Sequence, residues 1–117
     1  MYTYAAKIIS VYDGDTVTAT VDLGFTVSVR IKVRLYGINT PEIRTKDPSE
    51  KKAGYAARDF VRDRILDKTV QIRTHSKGKY GRWVATIWEI QDGVVSSKSI
   101  NDELLELGMA VPYMRDE

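Results

Sequence analysis

The chain contains no cysteine and a single histidine, His75. The first absence excludes disulfides, thiolate metal ligation and cysteine nucleophiles. The second leaves oxygen atoms, apart from one imidazole, as the donors for any bound metal. Only three prolines occur in 117 residues, with no Gly/Ser linker, low-complexity tract or internal repeat. No boundary is therefore expected, and residues 1–117 read as one domain. No apolar run reaches membrane-span or signal-peptide length, so no membrane partner is expected. The default location is cytoplasmic, although a leader removed ahead of Met1 would leave no trace and would make the protein a secreted one. Strong charge of either sign is missing too. The 18 Lys+Arg against 16 Asp+Glu give a net charge of +2, which permits a nucleic-acid partner without requiring one. What is present is 43% hydrophobic residues, enough for a compact core.

Hydrophobic periodicity reads as strands first. Lys7 to Val11 and Thr16 to Asp22 are short β-type runs on either side of Tyr12-Asp13-Gly14-Asp15, which predicts a hairpin with an acidic corner. In the next run Phe25, Val27, Val29, Ile31, Val33 and Leu35 take one face, and Thr26, Ser28, Arg30, Lys32, Arg34 and Tyr36 the other. That alternation predicts one apolar and one basic strand face. Asp47-Pro48-Ser49-Glu50 combines a capping acid, a proline at the first helical position and a glutamate three after the cap. A helix is expected from there to about Leu66, packed through Ala53, Ala57, Phe60, Val61 and Ile65. Thr69 to Thr74 and Arg82 to Gln91 read as two more strands, the second ending at the turn pair Asp92-Gly93. A closing helix is capped by Ser99, carries Ile100, Leu104, Leu105 and Leu107 as its apolar stripe, and stops at Gly108. Five strands, with a helix after the third and another after the fifth, predict a mainly β, α+β fold: a five-stranded OB-type barrel with two packed helices.

Three clusters carry chemistry. Asp13-Gly14-Asp15-Thr16 places two carboxylates at a glycine turn, a setting that suits hard cations such as calcium, although Asp-Gly is also an ordinary hairpin turn. Arg34 to Glu42 delivers an arginine, an amide, a hydroxyl and a carboxylate within nine positions. A guanidinium there could bind phosphate oxygens in a fork, and a glutamate could accept a proton from an attacking water. Its plain alternative is a strand end followed by a solvated loop. Ser76-Lys77-Gly78-Lys79-Tyr80-Gly81-Arg82 could hold phosphate and stack a base, or be a simple hairpin loop.

In this order, the runs Asp13-Gly14-Asp15-Thr16-Val17, Arg34-Leu35-Tyr36-Gly37-Ile38-Asn39-Thr40-Pro41-Glu42, Lys79-Tyr80-Gly81-Arg82 and Asn101-Asp102-Glu103-Leu104-Leu105 to Gly108-Met109-Ala110 resemble the staphylococcal nuclease (thermonuclease) family. The resemblance extends from Ala5 to Tyr113. It implies an OB-type barrel and a calcium-dependent phosphodiesterase acting on single-stranded or breathing DNA or RNA. By position it implies Asp15 as a metal ligand, the Thr40 carbonyl on the same ion, Asp13 beside it and Glu42 as general base. Arg34 and Arg82 would bind the scissile phosphate, and Lys79, Tyr80 and Tyr113 would border the nucleotide.

Two departures stand out. Asn39 occupies the place where the family usually has a ligating aspartate. Its carboxamide oxygen can still coordinate a hard cation, but with one negative charge fewer, so affinity should fall. The chain also stops soon after Tyr113, without the further helix and tail of longer members, and a monomer is the default assembly. The alternative function is an OB-fold nucleic-acid-binding module that cuts weakly or not at all, and a structural or protein-interaction role is a third. His75 reads as an exposed strand-end residue, and Trp83 and Trp88 as core or sheet cover. Arg58, Arg62 and Arg64 read as a solvated helix face paired to Asp59 and Asp63.

Overall fold

The computed structural model describes residues 2–78 and 80–113; Lys79, one of the expected substrate-binding residues, lies outside them. The strands β1 (Thr3–Asp13), β2 (Thr16–Gly24) and β3 (Val27–Leu35) are followed by the short β4 (Ile38–Asn39) and helix α1 (Pro48–Ile65). Next come β5 (Thr69–Lys77), β6 (Trp83–Gln91), β7 (Val94–Val95), helix α2 (Ile100–Glu106) and β8 (Val111–Pro112). Antiparallel pairing gives the order β3-β2-β1-β5-β6, and a parallel pairing of β3 with β6 through Val33↔Trp83, Arg34↔Val84 and Leu35↔Ala85 closes it. The result is a five-stranded barrel with two helices packed on it, as the periodicity predicts.

The core forms where alternation and closure coincide. Ile8, Val17, Ala19, Val33, Leu35, Val70, Ile72, Ala85 and Ile87 fill the barrel, and Val61, Ile65, Ile100 and Leu104 seal it from the helices. Burial of such side chains stabilises by roughly 1.5–3 kcal/mol each relative to exposure. Helix α1 starts as expected: the Asp47 carboxylate accepts the Ser49 N–H at 3.0 Å, with Pro48 in the first turn. Ser99 caps α2 through the Asp102 N–H at 3.0 Å, and Gly108 follows with φ +72°.

Several expectations need correction. The first and fourth runs extend to Thr3–Asp13 and Thr69–Lys77, because pairing with neighbours recruits polar residues beyond the apolar stretches. Phe25 is no core residue: it sits at the β2–β3 turn with φ 55° and is 98% exposed. Val27 and Val29 are exposed as well. The apolar face is covered from Ile31 to Leu35, fully where β3 meets β6, and the outer half of the hairpin runs past that closure. In α1 Ala53 is exposed and Gly54 buried in its stead. In α2 Leu107 is exposed, because it is the C-cap and not part of the packed stripe.

Where the β3–β6 pairing ends, a side chain continues it. Asn101 of α2 is buried, donates to the Tyr36 and Ala85 carbonyls at 3.0 and 3.2 Å, and accepts the Ile87 N–H at 3.1 Å. Asn101→Ala strands buried backbone groups, each costing about 1–3 kcal/mol. The expected loss is about 2–5 kcal/mol in urea denaturation; a change within experimental error would mean that water replaces the amide.

Candidate functional site

The β1–β2 turn is shaped by what surrounds it. The Asp13 carboxylate accepts the Asp15 N–H at 3.2 Å, an Asx-type turn. Gly14 is buried so tightly that a Cβ there would stand 2.8 Å from both Ala57 Cβ of α1 and Thr40 Cγ2. This close approach turns Asp15 inward, to 7% exposure. Its Oδ2 accepts the Thr40 N–H at 3.0 Å and its Oδ1 accepts the Thr16 hydroxyl at 3.2 Å. The Asp15 carbonyl accepts the Leu35 N–H at 2.9 Å, which joins the turn to the end of β3.

Arg34 leaves β3 beside this carboxylate. It is 7% exposed, with Nη1 3.5 Å from Asp15 Oδ2. Its Nη1 donates to the Leu35 carbonyl at 3.4 Å and its Nη2 to Asn39 Oδ1 at 3.2 Å. The guanidinium lies 4.9 Å from the centre of the Tyr113 ring. Tyr113 reaches this place because β8 pairs with β4, Asn39 facing Val111, and because its own N–H donates to the Gly37 carbonyl at 2.8 Å. Asp15, Arg34, Asn39, Thr40 and Tyr113 therefore converge, with Asp13 at the turn beside them.

Arg82 immediately precedes β6, two residues before Val84, the residue registered with Arg34. Both thus belong to the same edge of the barrel. The Arg82 guanidinium lies 5.8 Å over the Tyr80 ring, and Tyr80 is 79% exposed, its ring open to solvent.

Glu42 is exposed on the loop after β4 and borders a groove of about 320 Å³ with Asn39, Thr40, Glu50 and Gly108 to Val111. Two residues missed by sequence reasoning fix that loop. Glu50, expected to complete a helix cap, instead accepts the Glu42 N–H at 3.3 Å and the Thr45 hydroxyl at 3.1 Å. Gly54 lies under the loop: a Cβ on it would stand 2.8 Å from the Pro41 carbonyl and 2.9 Å from that of Glu42. A glycine in mid-helix is the signal that could have revealed this contact. An exposed mid-helix Gly→Ala change usually stabilises by about 1 kcal/mol. Gly54→Ala is expected to do the reverse, costing about 1–3 kcal/mol in thermal or urea unfolding, because backbone must move.

The donor set is one of oxygens. Asp15, Asn39 Oδ1, the Thr40 main chain and Asp13 offer hard ligands of the kind that calcium takes. Burial, and then the neighbouring Asp15 carboxylate, push Asp13 up to about 7. A cation beside these two neighbouring carboxylates would offset their repulsion. Among the described residues, no three His, Asp or Glu side chains cluster, so Glu42 is not grouped with Asp13 and Asp15. The set fits a hard cation, with fewer anionic ligands than a tight calcium site.

The residues set aside from the sequence have structural partners. His75 is half-buried rather than exposed: it stacks on Tyr36 with ring centres 3.9 Å apart and hydrogen-bonds the Thr86 hydroxyl at 2.9 Å. Burial, and then Arg73, lower its pKa. Trp83 and Trp88 are half-buried on the barrel. Arg58 pairs with Asp59 at 3.0 Å. Arg62 donates to the Val11 carbonyl at 3.0 Å, and Arg64 joins Glu89 and Glu103 across to β6 and α2, not Asp63.

Comparison with known proteins agrees with this architecture. The family model described as staphylococcal nuclease homologue matches residues 32–117. An uncharacterized protein of Methanocaldococcus jannaschii is 32% identical over 95% of this chain and 60% of its own length. The probable endonuclease LCL3 of Colletotrichum graminicola is 32% identical over 71% of this chain and 30% of its own length. The thermonuclease of Staphylococcus hyicus is 26% identical over 89% and 56%. The chain thus spans less than two thirds of the length of each of these relatives. With the barrel, the helix order and the family match over most of its length in agreement, this chain belongs to the staphylococcal nuclease homologue family.

Proposed function

We propose that the chain is a metal-dependent nuclease that hydrolyses phosphodiester bonds of single-stranded or breathing DNA or RNA. The observation that carries this reading is the buried Arg34, held among Asp15, Asn39 and Tyr113 at the edge where Arg82 also emerges. Two arginines on one edge of the barrel bring two guanidinium forks to the same side of the site. They suit a doubly contacted phosphate. Relatives named thermonuclease and probable endonuclease support the same reaction class.

The chemistry follows from what a phosphodiester demands. Its negative charge repels hydroxide, so the site must offset that charge, orient a water and take up its proton. Arg34 and Arg82 bind the non-bridging oxygens and stabilise the charge that builds there in the transition state. Glu42 takes the proton from the attacking water. Tyr80 and Tyr113, with Lys79, border the nucleotide. Asp15, Asn39 and the Thr40 carbonyl, with Asp13 beside them, would hold a hard divalent cation, most simply calcium, which supplies Lewis-acid neutralisation at the phosphate when bound.

The test is cleavage of denatured DNA and of RNA by purified protein with calcium, magnesium, manganese or chelator. Metal-dependent cutting that disappears in Glu42→Gln supports the nuclease. Binding at low salt without cutting under any metal would move the reading to an OB-fold binding module. Ligand charge gives a separate prediction: Asn39→Asp is expected to tighten calcium binding in calorimetric titration. If affinity does not rise, residue 39 stands outside the coordination sphere.

A further inference from the structure

The exposed face of β3 carries the other observation that points to a ligand. The register between β2 and β3 runs without irregularity from Thr16↔Arg34 through Thr18↔Lys32 and Thr20↔Arg30 to Asp22↔Ser28. Strand side chains alternate faces, so Arg34, Lys32 and Arg30 lie in one row on one side, flanked by the row Thr16, Thr18, Thr20. Lys7 of β1 stands opposite Thr20 and extends the same side by one strand. Arg30, Lys32 and Lys7 are exposed, and none of them has an ion-pair partner among the described residues. The acid on these two strand rows is Asp22, at their far end, where it accepts the Gly24 N–H at 2.8 Å.

We infer that this face is a track for the backbone of a single nucleic-acid strand, with successive phosphates on Arg34, Lys32 and Arg30. The inference rests on the nuclease reading and deepens it, because the track begins at the arginine that holds the scissile phosphate. Residues two apart on a strand are separated by about 6.6 Å, close to one nucleotide repeat of an extended sugar–phosphate chain. Threonine hydroxyls between the cations can donate to the same phosphate oxygens. A single row of this pitch admits one extended strand, and it offers no groups aimed at base edges, so it discriminates by strandedness and length rather than by sequence. Arg30 and Lys32, exposed and without an ion-pair partner among the described residues, can exchange water and counterions for phosphate, and the counterion release favours binding.

The experiment uses the Glu42→Gln protein, to limit cutting, and compares fluorescently labelled oligothymidylates of about twelve and about two nucleotides, the shorter having one internucleotide phosphate, by anisotropy across a salt series. The parent is expected to bind the long strand more tightly and with a steeper salt dependence. In Arg30→Ser/Lys32→Ser, affinity for the long strand should fall on the order of ten-fold at low salt. The slope of log K against log salt should shrink by about 1.4, since each phosphate contact on a single strand contributes about 0.7. The advantage of length should largely vanish. Lys68→Ser/Lys98→Ser removes the same charge from elsewhere and should keep that advantage. A double variant that binds both lengths as the parent does overturns the track, as does an equal loss for both lengths. A parent with no affinity for either strand overturns the nuclease reading itself, a distinguishable result.

Discussion

Arg34→Ala is expected to lower cleavage of denatured DNA by at least about 10²–10³, the usual cost of removing one preorganised donor aimed at developing charge. It should also cost about 3–5 kcal/mol of stability in urea denaturation, because the partner charge stays buried. Arg34 is 7% exposed, 3.5 Å from Asp15 Oδ2 and tied to Asn39 and the Leu35 carbonyl. Its loss leaves the Asp15 carboxylate, also 7% exposed, with the Thr40 N–H, the Thr16 hydroxyl and the Asp13 carboxyl but no cation among the described residues. The two effects separate in a double-mutant cycle. Adding Asp15→Ala to Arg34→Ala should restore part of the stability, since the uncompensated charge is gone, and none of the activity. If the double variant is as unstable as the sum of the singles, the pair is not electrostatically coupled. If the single variant still cuts at the parent rate, Arg34 has no part in the chemistry.

Glu42→Gln is expected to behave in the opposite way, with activity lost and fold kept. Removing a general base typically costs about 10²–10⁴ in rate, read here as the single-turnover rate on a denatured DNA substrate. Glu42 is exposed, and it is its main-chain N–H, not its carboxylate, that anchors the loop to Glu50. The substitution keeps that bond, so stability should change by no more than about 0.5 kcal/mol. Substrate affinity by anisotropy should stay close to that of the parent, because the lost group acts on water rather than on the strand. An unchanged rate would remove Glu42 from the mechanism. A lost rate accompanied by lost affinity would recast it as a positioning residue for the loop.

The contrast between these variants reflects how unevenly the site could be read in advance. Residue type and spacing single out Asp15 and the Arg34 to Glu42 run, and the fold brings Asp15, Arg34, Asn39 and Thr40 together while Glu42 stays on the exposed loop. The expected pairing of Arg58 with Asp59 also holds, since neighbours on a helix need no tertiary help. The helix pattern places Arg64 on the same solvated face, yet it joins Glu89 and Glu103, contributed by elements far along the chain. Glu50 has the spacing of a capping residue but spends its oxygens on Glu42 and Thr45, because the loop after β4 folds back over the helix start. Phe25 continues a perfect alternation into a turn that no partner covers. Periodicity records which face is apolar, not whether another element arrives to bury it.

What the sequence by itself determined are the properties that depend on near neighbours: the alternation of β1, β2 and β3, the Asp47 and Ser99 caps, the Asp92-Gly93 turn and the order of strands and helices. Each is decided by steric and hydrogen-bonding preferences within a few residues. Only the tertiary structure decided how the ends of that chain meet. The parallel closure of β3 on β6, the Asn101 bridge, the tight seats of Gly14 and Gly54, the stack of Tyr36 on His75 and the approach of Tyr113 to Arg34 all join segments distant in sequence. Such contacts depend on the simultaneous packing of the whole barrel, where one added methyl group or one missing partner decides the outcome, and no local pattern encodes that sum.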